Sequence, residues 1–469
     1  MKNSFWSLLS TFSTQGIDSI FFIILGNLFL KEEYGAYVAL MLIVNYGANL
    51  LTLEIQHGIV KKLHDTTDPG EKNAFFSAGL IIYFAITILT IGILSGFHRF
   101  FINLIKVQEY DRLFFWIIPM VSFQLVIKYL NAVLQAHLQI KKMGLLAIAS
   151  SLIRFIVFAS FFFAWKFRIP AIIIGNYAAN LFLIGTLWHN CRRFHRLGFR
   201  HDMFGKIWEL LAFSLQIVPS SICGFLDKRI DMFIVVIYLS KEQVAVYSIA
   251  TQLALMMFLF GNSISQVNFP KLAKAYAEKK IKQVHKIYSD SLSLSFAVLS
   301  ITYMAILFHL KPLLLIILPK YLDVIRPLTI LVVLFILSGS FNSVGTIFTS
   351  IGKPLLNAPP IFIGLIINVV LNLYLIPKIG LIGAAIATGS SYVLRFIILN
   401  IIIEKRVHTR YPYAKLIAMY ILFVNLVFLG MLHQNYWLRE SSIIFYIVCC
   451  FFYLLTKDQR HFVFKYIYP

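Results

Sequence analysis

Acidic residues are scarce in this chain: 20 Asp and Glu stand against 42 Lys and Arg, and charged residues make up only 13% of the 469 positions. Cysteine is nearly absent, and Cys191, Cys223, Cys449 and Cys450 show no metal-ligand spacing. They lie in or beside apolar runs, where free Cys behaves as a small hydrophobe, so neither a disulfide nor a metal or other cofactor is expected. Long polar stretches are missing, which leaves no room for an external catalytic domain. His, Asp and Glu form no grouping with catalytic spacing, and His57, His64, His137 and His195 are scattered near the ends of apolar runs. The alternation of apolar and polar residues that marks a transmembrane β-barrel is also absent.

What is present is apolar sequence: 59% of residues are hydrophobic and the mean hydropathy is +0.80. Those values fit a polytopic membrane protein. Crossing about 30 Å of hydrocarbon takes roughly 20 apolar residues in a helix. Fourteen such segments are expected, near 5–30, 35–58, 74–96, 113–137, 143–166, 169–189, 207–238, 244–267, 288–309, 324–350, 357–377, 380–402, 414–432 and 441–456. Pro219 predicts a kink in the long seventh one. The first is too long for a signal h-region and lacks a cleavage site, so it is expected to stay as a helix.

Basic residues are retained on the cytoplasmic side. With the N-terminus inside, 25 Lys and Arg fall in cytoplasmic segments and 12 in outer ones, leaving five inside spans. Both termini are therefore expected in the cytoplasm. The excess of positive charge is explained by anionic lipid headgroups, with no nucleic-acid partner needed.

The chain also repeats itself. "KEEYGAY" at 31–37 returns as "KEQVAVY" at 241–247, and the basic linkers at 192–200 and 404–415 have a similar separation. The expected architecture is all-α: a six-helix bundle over 1–189, a basic cytoplasmic linker over 190–206, a second six-helix bundle over 207–402, and two further helices with a short tail over 403–469. An even number of helices per repeat keeps both copies in one orientation and predicts a central cavity between them. Asparagine recurs at i, i+4 in three spans, as Asn45 and Asn49, Asn176 and Asn180, and Asn368 and Asn372. Such pairs serve either as interhelical hydrogen bonds or as a wall that binds sugar hydroxyls.

Five cations and four acids fall inside spans. A charge at the bilayer centre costs at least about 3 kcal/mol, so each tends to face protein or water. Arg154 lies about 16 Å from either end of its span, beyond easy snorkelling. It leads the candidate substrate-binding cations, followed by Lys128, Arg229 and Arg395, with Lys228 the fifth. Asp18, Asp227 and Asp231 are the candidate ion-coupling or gating acids, and Glu54 is expected at the interface. In "DKRID", Asp227 and Asp231 lie about 40° apart on one helix face and Arg229 about 160° from Asp231. The acids are thus expected to share Lys228 or a cation from a neighbouring helix, while Arg229 faces substrate.

Residues 227–276, with an intramembrane Asp, a short loop, a Tyr-bearing helix and "NFP" at 268–270, resemble the lipid-linked oligosaccharide flippases of O-antigen and related pathways. So do "FTSIGKP" at 348–354 with the helix pair at 368–388, and the opening at 13–37. The superfamily also holds multidrug and toxin extrusion carriers and lipid II flippases. The resemblance implies two six-helix bundles around a cavity that opens alternately to each side of the bacterial inner membrane. It further implies an undecaprenyl-diphosphate-linked oligosaccharide as cargo, a proton or sodium counter-ion, and a polysaccharide polymerase and chain-length regulator as partners. Two other readings are a cation antiporter of the multidrug type, using Asp18 and Asp231, and a membrane-embedded polymerase or acyltransferase.

Overall fold

The computed structural model describes residues 2–198, 202–342, 347–408, 411, 413–433, 435–456 and 459–460. Parts of both basic linkers and the tail from 461 lie outside the described residues. Among those described there is no strand, as expected where lipid offers the backbone no hydrogen-bond partner and each segment must satisfy its own. The chain divides into two compact units, residues 1–228 with 239–245 and residues 229–238 with 246–469.

The first unit holds α1 (Lys2–Leu28), α2 (Lys31–Leu50), α3 (Ile55–Asp65), α4 (Pro69–Gly96), α5 (His98–Leu104), α6 (Asp111–Ala136), α7 (Ile140–Trp165), α8 (Ile169–Cys191) and α9 (Met203–Leu215). It also holds most of α10 (Val218–Tyr238) and the first turn of α11 (Lys241–Leu255). At 1.5 Å per residue the 20 residues of α2 span about 30 Å, one hydrocarbon thickness. The chain then turns through two left-handed residues, Leu53 and Glu54, into α3. Asp68 starts α4 by accepting from the backbone N–H groups of Gly70 and Glu71, with Pro69 at the first position where no N–H is needed. α7 packs on α1 and α8, and α6 packs on α2, α3, α4 and α8.

Glycine sets one contact outright. A Cβ on Gly35 would lie 1.8 Å from the carbonyl oxygen of Lys241, so the first turns of α2 and α11 approach backbone to backbone. These are the two copies of the repeated heptapeptide. Gly35→Ala is expected to lower stability by about 3 kcal/mol, at the upper end for overpacking, because a backbone atom cannot rotate aside. Thermal unfolding of purified protein reads this directly.

The second unit holds the remainder of α10 and α11, then α12 (Met257–Ala277), α13 (Ile281–Phe308), α14 (Leu310–Ile317), α15 (Ile325–Phe341), α16 (Ile347–Ser350), α17 (Ala358–Val407), α18 (Tyr413–Leu432) and α19 (Tyr436–Cys449). The 50 residues of α17 fold back at Ile379 and Gly380, the latter at φ +59°, a left-handed conformation that glycine adopts without strain. Its two arms pack side by side through Asn368, Thr388 and Ser391.

Among the described residues, ten helices are long and apolar enough to cross a membrane, or eleven with the α9–α10 pair, which bends by 50°, counted as one. The fourteen expected segments differ from this at three places. Both arms of α17 count as one long helix, only Gly16–Leu28 of α1 enters as a shorter apolar helix, and the expected 244–267 span is interrupted between α11 and α12. The chain is a multi-pass, all-helical membrane protein.

Candidate functional site

Two polar sites are built inside the spans, one in each unit. In the first unit, the Arg154 guanidinium on α7 forms an ion pair with Asp18 on α1 and lies 4.7 Å from the centre of the Phe21 ring. Tyr37 on α2 stands in the field of both charges, near Asn176 on α8. α7 and α8 come close enough to share the cluster because a Cβ on Gly175 would meet the Arg154 carbonyl at 2.8 Å. Farther along α2, Lys128 of α6 donates to the Ala48 carbonyl at 2.7 Å and to Asn49 Oδ1 at 2.8 Å. Gln124, one turn from Lys128, donates to Asn180 Oδ1 at 3.3 Å.

In the second unit, Asp231 of α10 is buried and its carboxylate accepts from the Tyr247 hydroxyl of α11 at 2.8 Å and the Thr388 hydroxyl of α17 at 3.2 Å. Its own helix adds the Met232 N–H at 2.8 Å. Asn368 donates to Thr388 and Ser391, and Asn372 donates to Asn368. Asn372 Oδ1 is buried without a hydrogen-bond donor. The site is therefore one carboxylate held by hydroxyl and backbone donors, with an asparagine pair hydrogen-bonded behind Thr388.

The "DKRID" segment divides by exposure: Asp227 and Asp231 are buried, Lys228 and Arg229 are exposed. The cation expected on Asp231 is replaced by hydroxyls within bonding distance. Lys228 points to the exposed side, whereas α11 and α17 bring neutral donors to the buried carboxylate. Arg395 on α17 lies half-buried, 6.0 Å from the Tyr392 ring centre. Of the six asparagines, Asn180, Asn368 and Asn372 are buried, Asn49 is half-buried and bonded to Lys128 of another helix, Asn176 is half-buried with its NH2 on the Ile172 carbonyl of its own helix, and Asn45 is exposed. Glu54 is buried at the α2–α3 turn, where Gln56 and His57 approach its carboxylate.

Tyr37, Tyr247, Thr388 and Gln124 were not singled out by sequence. The signal for two of them was there: Tyr37 and Tyr247 end the two copies of the repeated heptapeptide, and each stands beside its unit's intramembrane acid. The copies then diverge, with Arg opposite the acid in the first unit and hydroxyls in the second.

At the N-terminal side of the 190–206 linker, His137 and His195 face each other with Nε2 atoms 2.8 Å apart. Asn73 Oδ1 lies 3.4 Å from His195 Nδ1 and accepts from the Arg196 N–H, and Ser77 Oγ accepts from the Gly198 N–H. Asn73 Oδ1 can only accept, so His195 Nδ1 carries the proton and its Nε2 accepts from His137. Burial, then the neighbouring His137 and Lys72, push the His195 pKa down to about 4. A lowered histidine pKa stabilises this fastening above the ordinary value near 6.5, and that contribution is lost as pH falls towards 4, by up to about 3 kcal/mol. After correction for the intrinsic, base-catalysed exchange rate, protection over 191–198 is expected to fall from pH 7.5 to pH 5 in the wild type and to stay constant in His195→Gln.

Comparisons with known proteins follow the same lines. The family model described as polysaccharide biosynthesis protein matches residues 1–276, and the MatE model matches residues 220–374. The probable low-salt glycan biosynthesis flippase Agl15 of Haloferax volcanii is 24% identical over 214 residues, covering 45% of each chain. The capsular polysaccharide biosynthesis protein CapF of Staphylococcus aureus is 25% identical over 247 residues, covering 52% of this chain and 61% of CapF. The matched stretches thus span about half the length of these relatives. In fold, the chain resembles the lipid II flippase MurJ in an inward closed conformation, with TM-score 0.78 and 16% identity over 98% of this chain and 99% of that one. An inward-facing MATE transporter follows with TM-score 0.66 and 15% identity over 84% and 94%. Since the first family model covers more than half of its residues, this chain belongs to the polysaccharide biosynthesis protein family.

Proposed function

We propose that the protein is a flippase that moves undecaprenyl-diphosphate-linked oligosaccharide units from the cytoplasmic to the outer leaflet of a bacterial inner membrane, by alternating access, for O-antigen or another surface polysaccharide. Both termini then lie in the cytoplasm, and a polymerase and chain-length regulator would use the product. The observation that carries the reading is the Arg154–Asp18 pair at mid-membrane depth. A guanidinium there can exchange its carboxylate for a diphosphate or acidic sugar, with Arg229 and Arg395 as further cations. The lipid tail need never leave the bilayer. Names of relatives such as Agl15 and CapF point the same way.

Coupling to a proton or sodium ion is assigned to Asp231, whose surroundings of hydroxyl and amide oxygens suit either ion. Asp227 is its gating neighbour. Asp18 is less suited to coupling because Arg154 already holds it. The same pairing weighs against a multidrug cation antiporter, which needs open carboxylates; the MatE match over 220–374 and the buried Asp231 are what favour that second reading.

Deletion of the gene, followed by analysis of surface polysaccharide and lipid-linked intermediates, tests the proposal. Complete repeat units are expected to accumulate on the cytoplasmic leaflet. Normal surface polysaccharide in a strain with no redundant carrier overturns the assignment. Units that reach the outer leaflet but stay unpolymerised favour the polymerase reading, and loss of cationic-dye efflux favours the antiporter.

A further inference from the structure

We infer that Asn45, Asn49 and Lys128 form a subsite that reads adjacent hydroxyls of a neutral sugar, rather than the diphosphate; this rests on the flippase reading and deepens it. The orientation of the amides is chemically fixed. Asn45 Nδ2 donates to the Met41 carbonyl at 2.8 Å, and Asn49 Nδ2 donates to the Asn45 carbonyl at 2.7 Å. A carbonyl can only accept, so each amide turns its NH2 back onto its own helix and directs its oxygen outward. This face of α2 therefore offers acceptor oxygens beside the second N–H of each NH2, a mixed pattern that suits hydroxyls, which both donate and accept.

Lys128 completes the pattern. Two of its three N–H donors go to Ala48 O and Asn49 Oδ1, leaving one. One N–H beside outward-facing carbonyl oxygens matches a vicinal diol, in which each hydroxyl both donates and accepts. Lys128, a candidate substrate-binding cation by sequence, is thereby assigned to the sugar and not to the diphosphate.

The depth of Asn45 argues that this face meets water. It lies fourteen residues beyond Lys31, about 21 Å along α2 and about 7.5 Å short of its other end, and is exposed. An amide exposed to hydrocarbon loses its hydrogen bonds at a cost of several kcal/mol, so an exposed Asn at that depth faces a hydrated space. The adjacent Tyr46 packs edge-on against Phe225 with ring centres 4.9 Å apart, and Phe225 is one turn from the exposed Lys228.

The full-length protein in nanodiscs, titrated with undecaprenyl diphosphate and with undecaprenyl diphosphate carrying one glucose, tests the inference. Wild type is expected to bind the glucose-bearing lipid about ten-fold more tightly, the effect of one or two hydrogen bonds. Asn45→Leu and Lys128→Met should each erase most of that difference while binding of the bare diphosphate changes less than about two-fold. Asn45→Asp, which keeps the acceptor oxygens, should retain it. The subsite is overturned if wild type does not distinguish the two lipids, if Asn45→Leu leaves the difference intact, or if it weakens both lipids equally. The flippase reading fails by a separate result, namely wild type binding neither lipid or Arg154→Gln binding both as wild type does.

Discussion

Replacing Arg154 with Gln is expected to reduce flipping at least 100-fold, the largest effect of any substitution in the first unit. Two losses combine. The transferred anion loses the mid-membrane guanidinium, whose charge-assisted hydrogen bonds are worth about twice those of a neutral donor. Asp18 meanwhile loses its partner and must take up a proton or water. Breaking a fully buried pair from one side costs about 3–5 kcal/mol. The Asp18 side chain is 47% exposed, so about half of that is expected here. The two losses separate in the double variant. Asp18→Asn with Arg154→Gln should recover the unfolding temperature but not transport, whereas Asp18→Asn alone should leave Arg154 able to bind the anion. Wild-type flipping by Arg154→Gln would remove this residue from the mechanism. Flipping assayed in proteoliposomes, beside thermal unfolding of the same preparations, checks each outcome.

Asp231→Asn is the second large effect, and its signature is loss of coupling rather than loss of fold. An asparagine can keep its oxygen on the Met232 N–H and turn its NH2 to the hydroxyl oxygens of Tyr247 and Thr388, which share the other carboxylate oxygen, so the structural cost should stay near 1 kcal/mol. What disappears is the charge that an incoming proton or sodium ion would neutralise. Transport driven by an imposed ion gradient is expected to fall at least 100-fold, while equilibration without a gradient continues. Thr388→Val, which removes one hydroxyl but keeps the carboxylate, should weaken coupling partially. If Asp231→Asn still responds to the gradient, coupling belongs to another acid and the assignment fails. Proteoliposomes prepared with proton and sodium gradients applied one at a time also identify the ion.

The asparagine pairs show how far the pattern in the chain carried. Their i, i+4 spacing was plain in "NYGANL" and "NYAANL", and so were its two alternative meanings, interhelical bond or sugar wall. The structure assigns different fates to members of one pair: Asn49 bonds across to Lys128 and Asn45 stays exposed. Spacing within a helix says which residues share a face. It does not say what that face meets, because the surrounding helix is apolar on nearly every side and carries no polar stripe to orient it.

Sequence by itself determined the membrane class, the all-helical architecture, the internal repeat and the short roster of intramembrane charges. Each follows from local physics: apolar runs long enough to cross hydrocarbon, a backbone that must satisfy itself there, and the cost of placing charge in it. Only the tertiary structure decided the partners. Arg154 and Asp18 are 136 residues apart, and Thr388 reaches Asp231 across 157. Both acids looked alike in the chain, yet one is neutralised by a guanidinium and the other is left to hydroxyls. Such pairings depend on how packed helices are rotated about their axes, which close contacts such as Gly175 against Arg154 help to set and no local pattern records.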